Sequence, residues 1–440
     1  MNQWADTLIR TGPNREKQNM VWNMAGSFCY AFASMVLSFL VVRLAGAEQG
    51  GIFAIGFSTV GQQMFLVAYF GIRPFQITDG SGEYRFGDYL HHRYLTCAAA
   101  LAAGAVFLIY RGYRPEKAWI IFLLIIYKVI DGFADVYESE FQRQGRLYLT
   151  GKSNMFRTLL SVGVFLAALS AGRNLLIACA AAVCAQAAGV VLFDIVVLRR
   201  LHHLDGTVEY GWDKTKLITL TAATILLFLS VFLDFYVFSA SKYAIDAHMD
   251  DASSGYFNAI FMPTSFINLA AGFVIRPFLT YLTVCWNEGR YKDFARKMGR
   301  LSAVIGGLTV LAVLGVAVLG KPVLGILELV FGPAYAGKLT VYHGAFGLIV
   351  LGGGFYAILN LHYYALVIMR RQKTIFGIYL VLTAAALWLA PALVIKHGIP
   401  GAAWAYLILM AGMAAGFILL AWLGFARGKK TAEQERRKRL

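Results

Sequence analysis

Apolar residues run through this chain in long stretches that short polar and charged segments separate. A stretch of about twenty mostly apolar residues is the length that crosses the hydrocarbon layer of a membrane as an α-helix. The pattern predicts twelve such spans, of which the third and fifth are short. Their predicted bounds are 20–43, 50–72, 94–110, 117–136, 156–171, 174–198, 216–240, 255–279, 300–320, 338–366, 374–395 and 400–425.

Two of the spans look like copies of one unit. The first opens with Gly-Ile-Phe at 51–53 and closes with Ile-Arg-Pro-Phe at 72–75. The second opens with Gly-Tyr-Phe at 255–257 and closes with Ile-Arg-Pro-Phe at 275–278. Internal repeats of this kind are common in transporters, whose substrate site lies where the repeats meet.

The repeat and the span count together predict the fold class. We expect an all-α integral membrane protein with about twelve transmembrane helices in two pseudo-symmetric six-helix lobes. An even number of spans in each lobe gives both lobes the same orientation in the membrane. The predicted parts are an N-terminal lobe at 1–201, a cytoplasmic linker at 202–215, a C-terminal lobe at 216–426 and a basic cytoplasmic tail at 427–440.

Composition supports a membrane protein. The chain is 59% hydrophobic and 15% charged, whereas about 25% of residues are charged in an average soluble protein. The first long apolar run starts at Val21 and is long enough to span, so we expect no cleavable signal peptide.

The net charge of +16 reflects the placement of basic residues between the spans. Most lysines and arginines, including Arg93 and Arg157, fall in loops on one side, whereas Lys242 falls on the other. Because cytoplasmic loops hold the excess of basic residues, we expect both termini on the cytoplasmic side of a bacterial inner membrane. The basic tail then contacts anionic lipids, and no loop is long enough for a nucleic-acid-binding domain.

Polar residues within the spans follow single helix faces. Such stripes either line a hydrophilic cavity or pack helices together through small, weakly polar residues. Arg73 and Arg276 lie at the ends of the two repeats. They either line the cavity or form part of a gate, or they are ordinary positive-inside residues that anchor the helix ends. The candidates for substrate binding are Arg73, Arg276, Lys128, Arg43, Asn23, Tyr30, Gln62, Tyr69, Asn258 and Ser265.

Charged residues inside the fourth and seventh spans are the candidates for coupling. Lys128 and Asp131 are one helical turn apart and can neutralise each other, and Asp135 shares their face. They form either a structural ion pair or a site where Lys128 meets a substrate phosphate. Asp234 has no obvious local partner, so it is a proton or sodium site or a hydrogen-bonded carboxyl group without a coupling role.

The cysteines, histidines and glycines restrict the kinds of site that we expect in this protein. The five cysteines lack metal-ligand spacing and are interpreted as packing residues. The histidines lack ligand spacing too, so we expect no metal site, no cofactor beyond a coupling H⁺ or Na⁺, and no catalytic residue. Three successive glycines, Gly352 to Gly354, predict either a bend or a close-packing surface in the tenth span.

Several segments carry a resemblance to a known family. They are Trp-Asn-Met-Ala-Gly-Ser at 22–27, Arg-Leu-Ala-Gly at 43–46, Phe-Gly-Ile-Arg-Pro-Phe-Gln at 70–76 with Thr78 and Asp79, and the motif residues between 135 and 152. The chain resembles the polysaccharide-transporter branch of the multidrug/oligosaccharidyl-lipid/polysaccharide (MOP) exporter superfamily, and within it the Wzx-type and teichoic-acid flippases. The resemblance implies two lobes around a V-shaped cavity, with lateral access for lipid tails between the first and eighth helices.

The resemblance also implies a function. We expect a flippase for a polyprenyl-diphosphate-linked oligosaccharide of the teichoic-acid, capsule or O-antigen type, acting as a monomer among membrane lipids and receiving its substrate from glycan-assembly enzymes. Cavity cations of such relatives meet the diphosphate, which suits Arg43, Arg73, Lys128 and Arg276. Some relatives bind sodium through an acid in the seventh helix, which Asp234 matches, although the eleventh helix offers no carboxylate. The alternatives are a small-molecule or drug antiporter of the same superfamily and a membrane-embedded glycan polymerase.

Overall fold

The computed structural model describes residues 3–12, 14–79, 82–206 and 208–439, and within these ranges the side chains from residue 4 to residue 426. Thr207 of the predicted linker and the side chains of the predicted tail at 427–440 lie outside that description. The helices of the described residues are α1 (Gln3–Ile9), α2 (Arg15–Ile55), α3 (Gly61–Tyr69), α4 (Arg73–Thr78), α5 (Phe86–Arg111), α6 (Pro115–Arg143), α7 (Leu147–Gly172), α8 (Leu175–Gly189), α9 (Val196–Asp205), α10 (Lys214–His248), α11 (Asp251–Phe261), α12 (Pro263–Ile275), α13 (Leu279–Asn287), α14 (Tyr291–Phe331), α15 (His343–Ile368) and α16 (Gln372–Arg439).

Short helical turns of other types complete the chain. Two π-helical turns continue the helix axis, Gly56–Val60 between α2 and α3 and Val190–Ile195 between α8 and α9. Three 3₁₀ turns lie at Arg276–Phe278, Pro333–Tyr335 and Thr340–Tyr342.

The described residues contain nine helical segments that are long and apolar enough to cross a membrane. Two of them, Arg15–Thr78 and Gln372–Ala426, are each interrupted by a glycine with non-helical backbone, Gly46 and Gly398. Each therefore supplies two crossings, and α6 adds a more heavily charged one. The expectation of an all-helical, multi-span membrane protein is confirmed, and counted in this way the described residues agree with the predicted number of about twelve spans.

Gly46 and Gly398 are the turns of two tight helical hairpins. Their φ angles of 88° and 59° lie in the region that favours glycine. A second glycine lets the two arms of each hairpin touch. A Cβ atom at Gly50 would lie 2.4 Å from Val42 Cγ2, and one at Gly401 would lie 2.0 Å from the Leu393 carbonyl oxygen.

The chain divides into two compact units, residues 1–232 and residues 233–440, and the boundary falls inside α10. In the N-terminal unit, α2 and α7 cross at two glycines. A Cβ atom at Gly26 would lie 2.4 Å from the Gly151 carbonyl oxygen, and one at Gly151 would lie 2.1 Å from that of Trp22. Only glycine allows this close approach. It explains why a glycine stands in each of the two segments that cross here, 22–27 and the motif residues between 135 and 152, both of which carry the family resemblance.

The segment between α9 and α10 packs on the start of α5 in the N-terminal unit. The Gly87 N–H donates to the Glu209 carbonyl oxygen at 3.0 Å, and the Asp213 N–H donates to Asp88 Oδ1 at 2.7 Å. The rings of His91 and Trp212 stack with centroids 4.6 Å apart. The described part of the predicted linker is therefore held against the helices that precede it in the chain.

In the C-terminal unit, the three successive glycines of α15 face three different neighbours. A Cβ atom at Gly352 would lie 2.7 Å from the ring of Tyr406 in α16, one at Gly353 3.1 Å from Ile267 in α12, and one at Gly354 2.1 Å from Thr309 in α14. The helix continues unbroken from His343 to Ile368. The three glycines therefore form a close-packing surface, which was one of the two predictions for this motif, and the helix does not bend sharply at them.

Candidate functional site

One face of α6 concentrates buried charge in the N-terminal unit. Lys128, Asp131, Asp135 and Glu138 follow one another at intervals of three or four residues, so they share that face. All four are between 3% and 8% exposed. Charged side chains within a membrane must find partners, and here the partners come from other helices.

Arg157 of α7 lies at the centre of this ion network. Its Nη2 atom donates to Asp131 Oδ1 at 3.0 Å and to Glu138 Oε1 at 2.8 Å, and its Nη1 atom donates to Asp194 Oδ2 at 2.9 Å. Asp194 is fully buried on the π-helical turn Val190–Ile195 and also accepts a hydrogen bond from Ser153 at 2.5 Å. Turns of this type are often found at functional sites.

Two further arginines share the carboxylate of Asp135. Arg73 Nη1 lies 2.6 Å from Oδ1, and Arg93 Nη2 lies 3.0 Å from Oδ2. Arg93 is completely buried, whereas 24% of the Arg73 side chain is exposed. Arg73 also reaches Glu138 at 3.5 Å and Gln142 at 3.0 Å.

The assignment of Arg93 and Arg157 to loops was wrong. Arg93 lies inside a helix because α5 begins at Phe86 instead of 94. Arg157, which stands at the predicted start of its span, lies ten residues inside α7 because that helix begins at Leu147 instead of 156. Polar residues near these helix ends interrupt the apolar run, although they are buried and paired. The excess of acids on α6 was the available signal, since buried carboxylates require basic partners from elsewhere in the chain.

The expected ion pair between Lys128 and Asp131 does not form. Asp131 accepts from Arg157 and, at 3.3 Å, from Gln186. Lys128 Nζ instead donates to the Tyr30 hydroxyl group at 2.9 Å and lies 3.9 Å from the centre of the Phe57 ring. No carboxylate of the described residues forms an ion pair with Lys128, so its nearest partners are neutral.

Asp234 has a partner that the sequence did not reveal. Tyr356 of α15 donates to Asp234 Oδ2 at 2.8 Å, and Tyr379 of α16 lies beside the same carboxyl group. The other oxygen, Oδ1, is buried without a hydrogen-bond partner among the described residues. The structure therefore leaves an acceptor position on this carboxyl group that no described residue fills with a hydrogen bond.

Lys242, in the C-terminal unit, has surroundings like those of Lys128. Lys242 of α10, which the sequence placed in an external loop, lies inside the helix. Its Nζ atom donates to Asn258 Oδ1 at 3.1 Å and lies 4.4 Å from the centre of the Phe261 ring. Among the described residues no carboxylate forms an ion pair with it.

The remaining sequence candidates are more scattered. Tyr69 lies near the network, with its ring centre 5.8 Å from the Arg93 guanidinium group. Asn23 and Gln62 are partly buried, and among the described residues neither joins the ion network around Arg157. Arg43, Ser265 and Arg276 are exposed, and Arg276 forms no ion pair with a described carboxylate.

Proteins similar to this chain were found only among solved structures. No family model matches the chain, and no curated protein matches it. Many solved structures are similar over nearly the whole chain, and three of them serve as examples. An inward-facing multidrug resistance MATE family transporter of the MOP superfamily gives a TM-score of 0.63 at 11% identity, covering 96% of this chain and 99% of the other.

The lipid II flippase MurJ in an inward closed conformation gives a TM-score of 0.67 at 14% identity, with 93% and 90% of the two chains covered. A MOP superfamily transporter from Pyrococcus furiosus gives 0.56 at 12% identity, with 94% of each chain covered. At these identities the similarity concerns the fold alone. The protein is an all-helical, multi-span membrane protein with the fold that these MATE, MurJ and MOP-superfamily structures share.

Proposed function

We propose that this protein is a MOP-type transporter that flips an oligosaccharide linked to polyprenyl diphosphate from the cytoplasmic to the outer leaflet by alternating access. The substrate is a precursor of the teichoic-acid, capsule or O-antigen type. In this proposal the protein spans a bacterial cytoplasmic membrane with both termini inside, acts as a monomer and receives its substrate from glycan-assembly enzymes.

The environment of Arg73 carries the proposal. Both carboxylates that Arg73 contacts have a second arginine, since Asp135 also binds Arg93 and Glu138 also binds Arg157. If Arg73 turns toward a phosphate, neither carboxylate is left as an unpaired buried charge, which would be costly. Its 24% exposed side chain is the most accessible of the three arginines.

Such an arginine suits the task of a flippase. A diphosphate and several sugar hydroxyl groups cannot leave water without a large free-energy cost. A guanidinium group offers two parallel hydrogen bonds to phosphate oxygens and so replaces part of that water. No covalent bond is made or broken, and the lipid tail remains in the bilayer.

The similarity to the lipid II flippase MurJ supports this proposal as far as the fold is concerned. The direct experiment is to deplete the protein in the cells that make it, extract the lipids and determine on which leaflet a polyprenyl-linked glycan accumulates. Accumulation on the cytoplasmic leaflet, reversed by wild type and by Arg290→Gln but not by Arg73→Gln, is the expected result. Arg290 is the matched control because it is exposed and forms a surface ion pair with Glu288.

Other outcomes of the depletion would overturn the proposal. Accumulation on the outer leaflet would indicate a later polymerase or ligase step. An unchanged lipid profile would favour export of small molecules.

The second candidate is a small-molecule antiporter, and Asp234 is the observation that favours it. A carboxyl group with a free buried oxygen can bind a proton or a cation, and its occupancy can couple to transport. Vesicles loaded with a cationic dye test this candidate. Efflux that requires a proton or sodium gradient and is lost in Asp234→Asn would support the antiporter.

A further inference from the structure

Lys242 is a membrane-embedded cation whose described partners are all neutral. An ammonium group has three N–H donors, and here one of them reaches Asn258 while the Phe261 ring faces the charge. A neutral amide and an aromatic ring compensate only part of the cost of a charge within a membrane. The remaining donors are available to an anion, since no described carboxylate forms an ion pair with Lys242.

The Phe261 ring occupies a repeated position. Phe57 is the sixth residue after Gly51, which opens the first copy of the internal repeat, and Phe261 is the sixth residue after Gly255, which opens the second. Each ring lies under a lysine, Lys128 at 3.9 Å and Lys242 at 4.4 Å. The equivalent ring of each unit therefore lies under one lysine that forms no ion pair with a described carboxylate, although Asp131 is near Lys128.

The two lysines reach these rings from helices that do not correspond in the repeat. Lys128 lies on α6, the fourth span, whereas Lys242 lies on α10, the seventh span, which corresponds to the first. Duplication of the chain alone would not produce this arrangement. Its recurrence favours a shared requirement for a positive charge at this ring.

The site also has a defined depth within the C-terminal unit. Asn258 and Arg276 lie near opposite ends of the predicted span 255–279, eighteen positions apart. That spacing corresponds to about 27 Å along a straight helix. That distance is close to the thickness of the hydrocarbon layer, about 30 Å. Lys242 and Asn258 therefore lie toward the membrane face opposite Arg276.

We propose that Lys242, with Asn258 and Phe261, forms a binding site for the diphosphate of the transported lipid on the release side of the membrane. This inference rests on the proposed flippase function. The ammonium group pairs with a phosphate oxygen, and the Asn258 amide nitrogen, which has no hydrogen-bond partner among the described residues, donates to a second oxygen. In the orientation proposed above, this face is the outer one.

The test uses purified full-length protein and two probes of equal chain length, farnesyl diphosphate and the uncharged farnesol. Calorimetric titration measures their affinities, and inorganic pyrophosphate serves as a competitor for the charged group. We expect Lys242→Gln to weaken farnesyl diphosphate binding about tenfold or more, the loss of one charge-assisted contact, and Lys242→Arg to remain close to wild type. Lys321→Gln, which changes an exposed lysine of α14, is the matched control.

Other results of this titration would contradict the site or the proposed function. Unchanged binding in Lys242→Gln, with wild type still preferring the diphosphate over farnesol, would overturn this site and leave the proposed function standing. A wild type without that preference would overturn the proposed function and the site with it. If Lys242→Gln fails to fold, Asn258→Ala replaces it, and unaltered binding there would likewise contradict the site.

Discussion

The guanidinium group of Arg157 and the carboxylate of Asp194 meet at 2.9 Å in the interior of the N-terminal unit, where their side chains are 2% and 0% exposed. Arg157 belongs to α7, and Asp194 belongs to the π-helical turn that follows α8. Through Asp131 and Glu138 the same arginine also binds α6. One side chain therefore links three parts of the unit by buried ion pairs.

Arg157→Leu should destabilise the protein strongly. It removes the ion-pair partner of Asp194 and Asp131 and one basic partner of Glu138, and uncompensated buried charges typically cost about 3–5 kcal/mol. Thermal unfolding of the purified protein in detergent measures the effect. Arg290→Leu is the control, for which we expect less than about 1 kcal/mol because its ion pair is exposed. Equal melting temperatures for the two variants would contradict this account of the network.

Arg93→Gln should mainly lower the stability of the protein, whereas Arg73→Gln should mainly reduce transport. Arg93 is fully buried and also donates to the Ala68 carbonyl oxygen at 2.6 Å, so its loss should lower the melting temperature. Arg73 is partly exposed, and its acids retain other arginines, so its loss should reduce transport with a smaller effect on melting. Paired melting and transport assays check this, and the reverse ranking would contradict the proposed role of Arg73.

Gly151→Ala should destabilise the crossing of α2 and α7. The new methyl group would lie 2.1 Å from the Trp22 carbonyl oxygen, so two backbones must move apart. Gly163→Ala is a control on the same helix, where nothing lies within 4 Å of the added atom. There the exchange should be neutral or stabilising by up to about 1 kcal/mol. Melting curves compare the two, and similar shifts would argue against a close backbone contact.

Docking of α1 should weaken at low pH. Arg200 donates to both oxygens of Asp6, at 2.8 and 3.1 Å, and these hydrogen bonds hold the pKa of Asp6 below its ordinary value. Because the ionised form is favoured in the docked state, the contribution is complete at neutral pH and is lost as the pH falls below about 4, the ordinary range for aspartate.

Hydrogen exchange of residues 3–9 as a function of pH measures this docking. Relative to the intrinsic exchange rate at each pH, we expect wild type to lose protection in acid and Asp6→Asn to have low protection at every pH. Slow exchange in Asp6→Asn at neutral pH would show that the other contacts of α1, such as the Lys152 ammonium group on the Leu8 carbonyl oxygen, are sufficient.

Part of the candidate site was visible in the sequence. Lys128, Asp131, Asp135 and Asp234 stood out because each interrupts an apolar run, and that signal is local. Their partners were not visible. Asp131 pairs with Arg157 instead of its helical neighbour Lys128, and Asp234 binds Tyr356, which lies 122 positions further along the chain.

By itself the sequence determined that the chain is a multi-span helical membrane protein, because span length and apolar content depend on neighbouring residues alone. It also showed the repeated arginines and the three glycines of α15. Only the tertiary structure decided that Arg93, Arg157 and Lys242 lie inside helices, and that the three glycines serve packing. A charge is stable within the membrane when distant helices bring it a partner, and no local pattern records which helices become neighbours.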